Sequence, residues 1–129
     1  MTYLLAVLWR AAAFFGLFQL SRLMPTPPDV VGINVALGLL VFTLYVLTAG
    51  VWASADALIR PGQWVARVWL GTALLVAATH PLLTLSEAPE HGVVWSDYLT
   101  IAPFVGLLVG VPAAVMGSLS RYWVNSEPD

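Results

Sequence analysis

The stretch from Val30 to Ala53, VVGINVALGLLVFTLYVLTAGVWA, runs for 24 residues without a charged side chain. At ~1.5 Å per residue a helix of this length crosses a ~30 Å hydrocarbon core. Three further stretches read the same way, residues 3–24, 65–85 and 98–120, and almost every charge lies between them or at their ends. The expected fold is therefore all-α. It is a polytopic integral membrane protein in which four transmembrane helices with short loops form one membrane domain over residues 1–129. Composition agrees: 60% of the residues are hydrophobic and 9% are charged, where a soluble domain carries roughly 25% charge.

Several function classes drop out at this level. The net charge of −2 and the absence of any basic cluster leave no expectation of a nucleic-acid partner. With no cysteine there is no disulfide, no thiol redox chemistry and no Cys-ligated metal or iron–sulfur centre. No Walker loop, HExxH or GxSxG is present, and there is no Lys to carry a retinal Schiff base. No cofactor, metal or catalytic residue is expected. Residues 3–24 read as a retained helix. They lack a basic leader, and the run from Leu23 to Pro28 is a poor cleavage site.

All five basic residues are Arg, a bias typical of GC-rich bacterial genomes, and their placement sets the orientation. Arg10, Arg60, Arg67 and Arg121 fall on the side of the N-terminus, the second loop and the tail, whereas Arg22 falls on the other side. The positive-inside rule then puts both termini in the cytoplasm of a multi-pass inner (plasma) membrane protein. Trp9, Trp52, Trp64, Trp69, Tyr122 and Trp123 mark the cytoplasmic boundary, with Trp95 and Tyr98 at the outer one.

Breaks are expected at 25–29, 54–64 and 86–97. Pro25, Pro27 and Pro28 cannot continue a helix, Asp29 can cap the second one, and Pro61-Gly62 is a strong break. Ser96 or Asp97 can cap the fourth helix. The run from Ala53 to Ile59 still reads as helix, so the second helix is expected to project beyond the membrane.

In lipid, close packing through small residues holds helices together more than apolar burial does. Ala102, Gly106, Gly110, Ala114 and Ser118 recur every four residues and form a small-residue stripe expected to pack against a neighbouring helix or a second copy of the chain. Ala12/Gly16 and Ala73/Ala77 are shorter versions. Pro81, Pro103 and Pro112 lie inside helices and are expected to bend them.

Polar residues supply the candidate site. No Asp or Glu lies inside the four stretches, which argues against proton-coupled export, since ionisable groups in the bilayer mark such pathways. Arg10 is expected to snorkel to the headgroups or to contact a lipid or anion, as are Arg60 and Arg67. On the outer half, Gln19, Asn34, His80 and Thr100 fall at similar depths on four helices, about 8 to 11 Å from the midpoints of the first three spans. Unpaired polar groups are costly in hydrocarbon, so these four are expected to turn inward and meet, either as a layer that fixes register or as a ligand site. His80 could ligate haem iron only with a partner's help, because the other His, His91, lies in a loop.

The functional expectation is a non-catalytic accessory or structural subunit of a larger membrane complex, whose partners are the lipid bilayer and other membrane subunits or copies of itself. One alternative is a small homo-oligomeric channel or transporter, since four helices alone rarely enclose a solute path. The third is a redox, quinone or haem-associated anchor using His80.

Overall fold

The structure, a computed structural model, describes residues 2–24, 31–85 and 95–126. These form four α-helices: α1 (Tyr3–Arg22), α2 (Val31–Ile59), α3 (Gly62–Leu85) and α4 (Trp95–Ser126). All four are long and apolar enough to cross a membrane.

The second helix extends past its charge-free stretch, as the run from Ala53 to Ile59 leads us to expect. α2 runs on through Ala53-Ser54-Ala55-Asp56-Ala57-Leu58-Ile59, because alanine is the strongest helix former and Ser54 satisfies its hydroxyl on the Gly50 carbonyl at 2.9 Å. The break expected over 54–64 therefore shrinks to Arg60-Pro61. There the Pro61 carbonyl accepts from the backbone N–H groups of Trp64 (3.0 Å) and Val65 (3.1 Å) to start α3. α4 begins at Trp95, so Ser96 and Asp97 lie inside its first turn rather than capping it. α1 closes on a tight turn, with Leu23 N–H donating to the Leu20 carbonyl at 3.2 Å ahead of Pro25. The cap expected at Asp29 lies outside the described residues. At ~1.5 Å per residue α2 and α4 reach roughly 44 and 48 Å, so both outrun a ~30 Å core.

α4 packs against both α2 and α3, and α3 also carries α1. The core joins all four helices: Ala11 and Phe14 from α1, Tyr45, Ala49 and Ala53 from α2, Val65, Trp69, Ala73 and Val76 from α3, and Val105, Val109 and Ala113 from α4. The α2–α4 contact is close because its residues are small. A Cβ added at Gly50 would lie 3.1 Å from Met116 Cγ, and one added at Gly117 would lie 3.7 Å from the Ala53 carbonyl. Backbone approach of this kind stabilises helix pairs in lipid.

The small-residue stripe of α4 is only partly buried. Ala102 is buried, while Gly106 and Gly110 lie against α3, where an added Cβ would come 3.2 Å from Ala77 Cβ and 3.5 Å from Ala73 Cβ respectively. Ala114 and Ser118 are exposed. The buried face runs through Val105, Val109, Ala113 and Gly117, the parallel four-residue row one position earlier. That row lies about 100° around the helix from the stripe, so the stripe flanks the core. Pro81, Pro103 and Pro112 all lie within continuous helix.

Candidate functional site

A buried ion pair joins the first two helices near the end of the bundle where α2 meets α3. Arg10 lies seven residues into α1 and Trp69 seven residues into α3, about 10 Å from each start. Asp56 is three residues from the end of α2. The three side chains converge at one level for that reason. Arg10 is 4% exposed and Asp56 5%. Arg10 Nη2 donates to Asp56 Oδ1 and Oδ2, each at 2.6 Å, and Nε donates to Oδ2 at 3.1 Å. Nη1 donates to the Ala6 carbonyl at 3.0 Å, one turn back on α1. Trp69 Nε1 donates to Asp56 Oδ2 at 2.9 Å. Charge is matched by charge, and the carboxylate accepts from an indole as well, which is how an ion pair survives away from water.

Aromatic rings surround the cation. The Arg10 guanidinium carbon lies 5.0 Å from the Trp52 ring centroid, 5.4 Å from that of Trp64 and 5.6 Å from that of Trp69. Trp52 and Trp69 meet edge to face at 6.2 Å. All three distances lie within cation–π range. The site is a tryptophan cage with a carboxylate on one wall and a guanidinium inside.

This corrects the sequence reading of Arg10. Its guanidinium is turned into the bundle against Asp56 rather than out to headgroups or anions. Asp56 itself was hidden because it falls beyond the charge-free stretch. The signal that reveals it is the alanine-rich helical run from Ala53 to Ile59, which carries an acid in register with Ala49 and Ala53. Arg60 and Arg67 are exposed, and the Arg60 guanidinium carbon lies 5.3 Å from the Trp64 ring centroid.

The residues expected to form a polar layer are arranged differently. Gln19 is exposed, its Oε1 accepting from Arg22 Nη1 at 3.5 Å. Thr100 is exposed and its hydroxyl donates to the Ser96 carbonyl at 2.7 Å. A hydroxyl satisfied on its own helix has no need to turn inward, so neither residue joins an inner layer. His80 is half-buried, its ring edge-on to Phe18 with centroids 4.9 Å apart. The Asn34 side chain lies outside the described residues. Tyr45, expected as a packing and hydrogen-bonding position, is buried and donates to the Phe14 carbonyl at 3.1 Å.

A second feature is a groove between α3 and α4 of about 770 Å³. Its floor is Ala73, Ala77, Gly106 and Gly110, and Leu70, Leu74, Leu107 and Val111 also line it. It extends from Ala102 to Arg121 along α4, which is about 28 Å of helix. Arg121 closes one end, where its Nη2 donates to the Arg60 carbonyl. Gly62 permits that approach, since a Cβ there would fall 2.6 Å from Arg121 Nη1. The Arg121 Nε has no hydrogen-bond partner among the described residues. Comparison with known protein families, curated proteins and solved structures gives no match.

Proposed function

We propose that the chain is a non-catalytic subunit of a larger membrane complex, seated in an inner membrane with both termini cytoplasmic, and that its α3–α4 groove receives one transmembrane helix of a partner protein. The groove is the observation that carries the reading. Its floor is alanine and glycine, the residue types that allow close helix approach. Its length of about 28 Å matches a whole ~30 Å hydrocarbon core. An acyl chain anchored at either face reaches only to the midplane, so a spanning helix fits the groove better than one lipid does. The Arg121 guanidinium at the cytoplasmic end favours a partner helix with a carboxylate at that level. A second copy fits less well, because two concave faces leave each other unfilled.

The test is Ala114→Trp, which fills the exposed part of the groove without entering the core. The complex is isolated from native membranes in mild detergent, and the stoichiometric partner chains are counted. The expected result is loss of the partner with the bundle's melting temperature unchanged. The reading fails if the same partners co-purify with the variant, or if the wild-type protein isolates only with copies of itself.

A further inference from the structure

The Arg10–Asp56 cage has a chemistry that a helix-docking subunit does not need, and of its members only Trp69 also lines the groove. We propose that the cage formed by Trp52, Trp64, Trp69 and Asp56 is a binding site for small planar organic cations of the guanidinium class, occupied in this state by the protein's own Arg10.

The recognition elements are those such a cation requires. A carboxylate presents both oxygens to the guanidinium N–H groups, at 2.6 to 3.1 Å. Trp69 orients that carboxylate through its indole N–H at 2.9 Å. Three tryptophan faces lie 5.0 to 5.6 Å from the cationic carbon, and tryptophan is the strongest cation–π partner among the side chains. A lone hydrophobic packing role for Trp52, Trp64 and Trp69 does not call for this arrangement around a single charge.

The position of Arg10 makes exchange physically reasonable. Removing the cation alone would leave Asp56 buried and uncompensated, which is strongly disfavoured. Replacing one guanidinium by another leaves the charge balance of the cage untouched. Apart from Asp56, the head of Arg10 is held among the described residues by one further hydrogen bond, to Ala6, and it sits on a flexible stem about 10 Å from the start of α1. The cage wall thins towards the end of the bundle. Trp52 and Trp64 are half-buried. The outward neighbours of Trp64 are the exposed Tyr3, with ring centroids 6.0 Å apart, and the exposed Arg60. A cation entering beside Trp64 meets Asp56 as Arg10 swings out towards the headgroups.

Methylguanidinium is the probe, titrated at millimolar concentration into the full-length protein in nanodiscs against sodium chloride of equal ionic strength. Three of the six tryptophans form the cage, so intrinsic fluorescence reads its occupancy. The expected result is a saturable change that Asp56→Asn abolishes. Trp52→Leu, which leaves the ion pair in place, should weaken it about tenfold, the loss of one ring's cation–π contact. In Arg10→Ala the vacated cage should bind the probe more tightly than the wild type does, and the probe should raise that variant's melting temperature. A response that does not saturate overturns the proposal. So does a saturable response that Trp52→Leu leaves unchanged, and that outcome can be read even where Asp56→Asn fails to fold.

Discussion

The guanidinium of Arg10 and the carboxylate of Asp56 meet across 46 positions of chain, with three donor–acceptor distances between 2.6 and 3.1 Å. They bind α1 to the last turns of α2, and Trp69 draws α3 into the same contact. Three of the four helices are therefore tied at one level by one pair of charges. Elsewhere α1 reaches its neighbours mainly through apolar contact, as where an added Cβ at Gly71 would lie 3.0 Å from Val7 Cγ2.

Breaking this pair from one side should cost more than removing it whole. Asp56→Ala leaves a buried arginine without its counter-charge, and the expected loss is about 3–5 kcal/mol. The double variant Arg10→Met with Asp56→Leu should lose clearly less, because neither charge is then stranded. Reversible unfolding in mixed micelles, read by far-UV circular dichroism, gives all three stabilities. Equal losses for the single and double variants would mean that the pair is not coupled as the geometry implies.

The glycines sort into two groups by what a side chain would meet. Gly106 has Ala77 Cβ at 3.2 Å and the Ala73 carbonyl at 3.7 Å from a Cβ built there, whereas Gly16 and Gly38 have nothing within 4 Å. Gly106→Val should destabilise the bundle by about 1–3 kcal/mol, the usual cost of overpacking. Gly16→Val and Gly38→Val should leave stability within about 0.5 kcal/mol of the wild type. Thermal melts of the three variants in one detergent decide the matter. A comparable loss at Gly16 would show that α1 packs more closely than the structure describes.

Orientation is expected to follow the arginines. Arg60, Arg67 and Arg121 sit at the end of the bundle where α1 begins, and Arg22 closes α1 at the other end. Reporter fusions at residue 129 should be active only in the cytoplasm, and fusions within residues 86–94 only outside. An external C-terminus would invert the placement of both the tryptophan cage and the Arg121 end of the groove.

The amino-acid sequence by itself determined the class and the count of helices. In hydrocarbon the backbone of a charge-free run such as Val30–Ala53 would have no partner but itself, so it reads as a helix, and its length and apolarity are enough to cross a membrane. Four such runs, the proline breaks and the arginine asymmetry are local signals and can be read locally. The tertiary structure alone decided which polar residues meet. Arg10 looked like a snorkelling residue, because its partner lies 46 positions away, on a helical extension that hydropathy ends too early. Gln19 and Thr100 looked like partners because depth along a helix can be read from sequence. The rotation of one helix about its axis relative to the others cannot. The stripe from Ala102 to Ser118 was legible only in part for the same reason. Its spacing was visible, but the parallel row Val105, Val109, Ala113 and Gly117 took the buried position, and the helix rotation that chose between the two rows cannot be read from spacing.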